Sequence, residues 1–395
     1  MGPLGSFFSR FADYLLANNV RTRKVMFPLR EFFPRKKHIT DYFDGPMSGW
    51  RSYLSDVIAR HGIKHLFMYG DFPTPHQIAI ELANEIGVEA WVFELGYIRP
   101  QHVTLERNRV NARSNLNKPV AFYHALPKVQ QSPATPLQRV SDRWLKLCRV
   151  PYFIQHAFSD FEIVDGPHKL KPKPSYLYFQ VLGYIREPWY ALTERRAKAL
   201  LRTVPDLFLA VLQVAIDSQV TMASAYEDMR HFILDVLESF ARHSRADQHL
   251  VFKHHPCDRG YNNYKRFIRR ESHRLGVTGR VHYIHDDSLA ELFQCCRGVV
   301  TINSTVGLTA LKYNVPTKVM GETFYNLPGL TVQDPLDSFW QGRYKIDRRL
   351  FLKFYNYLVE HTQINGSFNG YFPFDETIVF KQRVRARTKV ADEVI

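Results

Sequence analysis

Residues 249–316 repeat one arrangement. A short apolar run stops abruptly at polar or charged residues, and a helical pattern follows. The segment reads HLVFKHHP at 249–256, GRVHYIHDDSLAELF at 279–293 and GVVTINSTVGLTALKYNVP at 298–316. Leu250, Val251 and Phe252 end in Lys253-His254-His255-Pro256, and Val299, Val300 and Ile302 end in Asn303-Ser304-Thr305. Apolar runs this short, set between helical patterns, predict buried strands of a parallel sheet. In open α/β sheets, ligands bind beyond the carboxyl ends of the strands. Ser304 and Thr305 open the next helix, whose free N–H groups and positive dipole end attract a phosphate. Lys253 and His255 bring positive charge to the same anion. The segment therefore predicts the phosphate-binding end of a Rossmann-like domain, such as one that holds a nucleotide sugar. Each half also has a plainer reading. A Ser or Thr ahead of a helix caps it, and a His-Pro pair after a strand makes a turn.

The same alternation extends to both sides. The spacing predicts a helix over 7–18, a strand over 23–28, a helix over 47–61 and a strand over 64–70. A helix over 75–87 and a strand over 89–94 follow. The stretch LGYIRPQHVTLERNRVN at 95–111 has no clean period and reads as a functional loop. Residues 112–136 read as linker. Residues 137–204 read as mainly helical, with aromatic and basic residues mixed, among them Trp144, Tyr178, Trp189 and Tyr190. They form either a layer on the sheet or a surface for a lipid-like acceptor. A strand over 206–214 and a helix over 225–243 lead into the opening segment. A strand over 316–321, a loop over 323–331 and a helix over 348–361 close the pattern. The expected fold class is α/β and GT-B-like: two Rossmann-like domains facing a central cleft, with an added helical segment. The expected divisions are 1–136, 137–204, 205–345, and 346–395 as a final helix and basic tail.

Charge narrows the partners. Lys and Arg number 53 against 38 Asp and Glu, a net charge of +15 that asks for an anionic partner. Nucleic acid, an anionic membrane surface and a phosphorylated substrate all qualify. The basic runs, Arg35-Lys36-Lys37-His38 and 383–389, lack the aromatic signature of an RNA-binding module, so no nucleic acid is expected. The four cysteines have no CxxC spacing, and Cys295-Cys296 sit inside a helical pattern; they read as reduced thiols. No apolar stretch is long enough to span a bilayer, and residues 1–18 are too polar for a signal peptide. The expected location is cytoplasmic, peripherally on the inner membrane.

An ordered set of motifs carries a resemblance: GPLGSFF at 2–8, GDFPTPHQIA at 70–79, ELGYIRPQHVTLE at 94–106, QVAIDSQV at 213–220, FKHHP at 252–256 and TINSTVGLTAL at 301–311. Together they resemble the capsule polysaccharide synthesis family, from residue 2 to about 340. With LPGLT at 327–331, the chain looks most like the family's single-module enzymes that start the poly-Kdo linker of Gram-negative capsules. The resemblance implies a retaining β-Kdo glycosyltransferase that moves Kdo from CMP-Kdo to lysophosphatidylglycerol or phosphatidylglycerol. It implies an anionic inner-membrane surface as partner, together with a second Kdo transferase and the capsule ABC-transport machinery. No metal or other cofactor is expected, because the CMP leaving group carries a single phosphodiester and no DxD-like site is visible. Two alternatives stand beside this: another CMP-sugar transferase of the sialyltransferase kind, and a non-catalytic capsule export or scaffold protein.

Retention by double displacement needs a carboxylate nucleophile and an acid/base group. Asp217 matches the acidic residue after the corresponding strand in related two-module Kdo transferases and is the expected nucleophile; the other reading is a helix-capping Asp. Glu94 ends a strand and is the expected acid/base, with Glu106 and Asp71 in reserve. Related enzymes often have two adjacent acids there, whereas Leu95 follows here, and Glu94 could instead pair with Arg99. His255, with Lys253, Ser304 and Thr305, is expected to hold the CMP phosphate. Arg99 is expected to hold a carboxylate, because a guanidinium matches one bidentately. His285 and Asp287 either read the cytosine or ribose, or cap the helix from Ser288. On this reading 1–136 is the acceptor side and 205–345 binds the CMP-sugar.

Overall fold

The computed structural model describes residues 7–27, 39–100, 102–127, 174–214, 218–368, 370–375 and 377. The chain forms two compact units. One gathers Met1–Val110, Gln131–Leu177 and Asn356–Ile395; the other gathers Asn111–Gln130 and Tyr178–Tyr355.

In the first unit, β1 (Lys24–Met26) and β2 (Thr40–Tyr42) form a small parallel pair. The main sheet holds β3 (His65–Tyr69), β4 (Glu89–Leu95), β5 (His102–Arg107) and β11 (Gln363–Asn365), in the order β11-β5-β4-β3. β3 and β4 run parallel, while β5 is antiparallel to both β4 and β11. β4 reads as a continuous apolar run because both of its faces are covered. Ala90 and Val92 pack with Leu54 and Ile58 of the helix Trp50–His61 and with Leu82 and Ala83 of the helix Thr74–Glu85. Trp91 and Phe93 pack on the other side with Phe7 and Phe11 of the helix Phe7–Ala17. Gly62 takes φ +58 and ends the helix Trp50–His61 in the left-handed conformation that favours glycine.

Two sequence expectations are corrected here. The supposed loop at 95–111 contains β5. Its residues alternate over a stretch too short to stand out: Val103 and Leu105 join the Phe7 side, and the polar Thr104 and Glu106 are buried on the other. The supposed linker at 112–136 contains the helix Val120–Ala125, anchored by the fully buried Tyr123, whose hydroxyl donates to the Leu116 carbonyl. Residues 128–136 of that linker and 137–173 of the expected helical segment lie outside the described residues, as do both basic runs.

The second unit is a parallel sheet of β6 (Asp206–Val211), β7 (Gln248–Lys253), β8 (Val281–Ile284), β9 (Cys296–Thr301) and β10 (Thr317–Val319). The order is β10-β9-β6-β7-β8, so the winding runs outward from β6 to β8, then crosses back to β9 and β10. The helices Met229–His243 and Lys265–Arg274 cover one face, around Phe208, Phe252 and Trp340. The helices Arg195–Leu201, Leu289–Cys295 and Thr305–Lys312 cover the other, around Leu209, Val251 and Val299. Cys296 departs from the expected helix. Its N–H closes the helix on Leu292, and the residue itself opens β9, where burial pushes the thiol up to about 12.

Candidate functional site

The reversal of winding falls between β6 and β9, and a doubly wound sheet binds its ligand beyond the strand ends at such a switch point. The register sets Val211, Lys253, Ile284 and Thr301 in one row across the four strand ends. Just past that row, Gln213 and Asn303 join β6 to β9. Asn303 receives 2.9 Å from Gln213 Nε2 at its Oδ1, and its N–H donates to Gln213 Oε1 at 3.1 Å. Asn303 Nδ2 also donates to the carbonyls of Gln219 at 2.7 Å and Ala223 at 3.3 Å. The two loops that leave the switch point are therefore tied together. Neither amide was singled out from sequence, although a polar residue stands two places past the end of each adjacent strand. Asp217 lies in 215–217, outside the described residues.

Ser304 is the N-cap of the helix Thr305–Lys312. Its Oγ accepts from Val306 N at 3.2 Å and its carbonyl from Gly307 N at 2.9 Å. Tyr325 donates its hydroxyl to the same carbonyl. Gly307 allows this, because any Cβ there would run into the Tyr325 hydroxyl. Ser304 and Thr305 thus stand at the positive end of a helix that starts at the switch point.

Lys253 closes β7 and is only 5% exposed. Burial pulls its pKa below the ordinary lysine range, and Asp286 and Asp287 offset part of that. Among the described residues its ammonium makes no ion pair and no side-chain hydrogen bond. His255 is half-buried and caps the 3-10 turn Pro256–Asp258, its Nδ1 accepting from Cys257 N at 3.2 Å. In the neutral ring the proton therefore sits on Nε2, which can donate. The turn reading of His-Pro is formed through Nδ1.

His254 points into the core. Its Nδ1 lies 2.9 Å from the Tyr283 hydroxyl, which itself accepts from Tyr264 N at 3.3 Å. Burial, then the nearby His285 ring, pushes His254 down to about 3. Its unfolded pKa is higher, about 6.5, so the unfolded chain binds more protons between those values. This contribution to stability is complete above about pH 6.5 and is lost as the pH falls toward 3. Urea unfolding of His254→Phe should show a pH slope between pH 6 and 4 shallower than wild type by up to about 1.4 kcal/mol per pH unit. Parallel slopes would assign the proton uptake elsewhere.

His285 is engaged by the protein itself. Its Nδ1 lies 2.6 Å from Glu194 Oε1, its N–H donates to Glu194 Oε2 at 3.0 Å, and its ring stacks on Tyr190 at 3.4 Å. Burial alone would raise Glu194, yet the hydrogen bonds from His285 outweigh it and leave the carboxyl below its ordinary range. Asp287 accepts from Ser288 N at 2.9 Å and from Arg202, and Ser288 caps the helix Leu289–Cys295. The cap of this helix is thus Ser288 itself, with Asp287 beside it and His285 held by Glu194. Arg259, which sequence reading missed, is buried and spans three elements. It donates to the Gly183 carbonyl and Glu187 at 3.2 Å each and to Asp286 at 3.0 Å.

The acids of the first unit form a separate group. Glu94 is buried near the end of β4, its Oε1 accepting from Leu95 N at 2.8 Å. Glu106 accepts from the Tyr97 hydroxyl at 2.7 Å, and Asp71 from Val110 N at 3.3 Å. Gln363 of β11 reaches Tyr97 N and Thr104 beside them, at 3.0 and 2.9 Å. Arg99 is exposed, with its Nε 3.4 Å from the Gly96 carbonyl; it makes no ion pair among the described residues, so the suggested Glu94–Arg99 pair is not formed. No cluster of three or more His, Cys, Asp or Glu suited to a metal occurs among the described residues.

The family model described as capsule polysaccharide biosynthesis protein matches residues 64–369. The chain is 36% identical over 379 residues to the capsule polysaccharide export protein KpsS of Escherichia coli, covering 92% of this chain and 94% of that protein. It is 34% identical over 400 aligned positions to the capsule polysaccharide modification protein LipB of Neisseria meningitidis serogroup B, covering 95% and 92%. Among solved structures it is similar to the β-Kdo 2,7 transferase of Thermosulfurimonas dismutans KpsC, with a TM-score of 0.40, 17% identity and coverage of 84% and 89%. The β-Kdo 2,4 transferase of the same protein gives a TM-score of 0.41, 15% identity and coverage of 86% and 91%. With three-quarters of its length matched by the family model, and relatives aligned nearly end to end, the chain belongs to the capsule polysaccharide biosynthesis protein family.

Proposed function

We propose that the chain is a retaining β-Kdo glycosyltransferase. It moves Kdo from CMP-Kdo to lysophosphatidylglycerol or phosphatidylglycerol and so starts the poly-Kdo linker of a capsule. The observation that carries this reading is Lys253: a buried lysine whose ammonium has no ion pair among the described residues, at the strand ends beside a switch point. A buried charge is costly unless something pairs with it, and the donor's phosphate supplies that pair. His255 donates from Nε2 to the same phosphate, and Ser304 and Thr305 present the positive end of their helix. His285 supports the site indirectly, by fixing the 285–288 segment through Glu194.

Asp217 attacks the anomeric carbon of Kdo. The bond from that carbon to the phosphate oxygen breaks, and CMP leaves with the electron pair, its negative charge met by Lys253 and His255. Glu94 then takes the proton from the acceptor hydroxyl as that oxygen displaces Asp217, which restores the carboxylate; two displacements give retention. Arg99 holds the sugar carboxylate. The second unit binds the donor and the first unit the acceptor. The chain works peripherally at the cytoplasmic face of the inner membrane, beside a second Kdo transferase and the capsule ABC-transport machinery. No helix among the described residues is long and apolar enough to cross a membrane.

The test is transfer of Kdo from CMP-Kdo, generated in situ, to a fluorescent lysophosphatidylglycerol, with products read by mass. Wild type should yield a one-Kdo product, and Asp217→Ala and His255→Ala should each slow its formation by about 100-fold or more. A folded protein that gives no product here and none from CMP-sialic acid would leave the export or scaffold reading instead.

A further inference from the structure

The helix Pro174–Thr193 is docked the wrong way round for an ordinary surface helix. Such a helix buries its apolar stripe and shows its polar face to water. Here the inward face is mixed: Phe179 packs on Tyr261 at 4.9 Å, and small and polar residues stand beside it. Gly183 lies against Gly260, close enough that a Cβ on Gly183 would sit 3.5 Å from Gly260 N. Arg186 donates to the carbonyl of Arg259 at 2.9 Å, Glu187 pairs with Arg259, and Tyr190 stacks on His285. The outward face is apolar. Tyr178, Ile185, Trp189 and Leu192 are each between 60% and 64% exposed, and Val181 joins them. These positions fall on one side of a 3.6-residue period, so they form a continuous stripe. A patch of this kind marks an interaction surface.

Charge selects the occupant. Both acids of this segment are turned inward and engaged, Glu187 by Arg259, and Glu194 by the His285 ring and by Lys198. The residues exposed directly after the stripe are Arg195 and Arg196. The surface therefore offers apolar and aromatic groups edged by cations and no free carboxylate of its own helix. Trp and Tyr favour the headgroup level of a bilayer, where the ring is half in hydrocarbon and the polar edge is wet. An amphipathic helix with these features lies in the plane of the interface, held by apolar insertion and by attraction to anionic lipid.

We propose that the outward face of the helix Pro174–Thr193, with Arg195 and Arg196, docks this protein on an anionic phospholipid surface. The inference rests on the peripheral-membrane reading above and names the face that performs it. The strand ends that hold Lys253 and His255 belong to the same unit, through the Arg259 and His285 contacts of that helix. The docked helix therefore carries a donor-binding site to the layer in which a phospholipid acceptor resides.

The test is co-sedimentation of the full chain with vesicles of equal parts phosphatidylcholine and phosphatidylglycerol, or of phosphatidylcholine alone, at low and high salt. Wild type should bind the anionic vesicles at low salt and be released at high salt. The Ile185→Glu, Trp189→Glu double variant should bind at least about tenfold more weakly, with unchanged circular dichroism and unchanged melting, because both side chains are exposed. Its turnover of a short-chain, water-soluble lysophospholipid analogue should equal that of wild type. Equal vesicle binding by wild type and variant would overturn the assignment of the face while leaving the peripheral reading intact. Absence of wild-type binding to either vesicle would overturn both. A loss of turnover on the soluble analogue would make the stripe part of the reaction site instead. Light scattering that shows a wild-type dimer and a variant monomer would give the stripe to a second copy. Slow amide exchange over 181–192 without vesicles, relieved in the variant, would give it to residues 128–173 of the same chain.

Discussion

Replacing Lys253 with methionine should lower kcat/KM for the CMP-sugar by about 10² to 10³ while leaving the protein as stable as before, or more stable by about 1 kcal/mol. The two halves of this expectation have one cause. A lysine this well buried has lost most of its hydration, and no carboxylate among the described residues stands within ion-pair distance; burial lowers its pKa, and Asp286 and Asp287 offset only part of that. Methionine has similar length, fills the same space and needs no partner, so folding loses nothing. The donor's phosphate loses a cation at the moment when its negative charge grows, so kcat should fall as well as affinity. Steady-state transfer assays and urea unfolding on the same preparation read both quantities. A variant that transfers normally and unfolds several kcal/mol earlier would make Lys253 a structural residue and remove the main support for the donor site.

Gly260→Ala should destabilise the second unit by about 3 kcal/mol or more, for steric reasons alone. The added Cβ would stand 2.7 Å from the carbonyl carbon of Phe179 and inside the contact distance of its oxygen, and backbone atoms cannot swing aside as a flexible side chain can. The helix Pro174–Thr193 would have to lift. That would strain the Arg186 bonds to the carbonyls of Arg259 and Gly260 and the Arg259 bond to the carbonyl of Gly183. Arg259 is buried, and a buried guanidinium that loses its acceptors is itself costly. Gly279→Ala is the control. Nothing lies within 4 Å of its Cβ, so its effect should stay within about 0.5 kcal/mol. Urea unfolding measures both, and amide exchange over 178–193 reports whether the helix has come loose. If both substitutions cost the same, the close packing at Gly260 would carry no weight.

These two residues show what the sequence made legible and what it did not. Lys253 was visible because it ends an apolar run of strand length, and local periodicity alone gives the strand, its end and the cation there. The same holds for Ser304, which caps the helix that follows β9. Gly260 and Arg259 were invisible because their importance comes from a helix about 75 residues earlier in the chain. No local pattern announces a helix that turns its arginine inward and shows its tryptophan. β5 was missed for a related reason. Thr104 and Glu106 look like loop residues until Tyr97 and Gln363 satisfy them in the interior. A histidine after a strand is compatible with either role expected for His285, and its Nδ1 contact, Glu194, is 91 residues away where no local pattern announces it.

The pairing of β11 with β5 has a consequence for how the chain is made. During synthesis the first 110 residues emerge with β5 as an open edge, its N–H and C=O groups free to pair with any strand they meet. The strand that closes this edge, Gln363–Asn365, leaves the ribosome about 250 residues later. With it come Ile364, Phe368 and Phe372, which complete the cluster around Phe7 and Phe93. The first unit is therefore the first to be born and the last to be finished, and the second unit folds while its neighbour waits. A chain that stops short of residue 363 should keep its parallel sheet and aggregate through the other one.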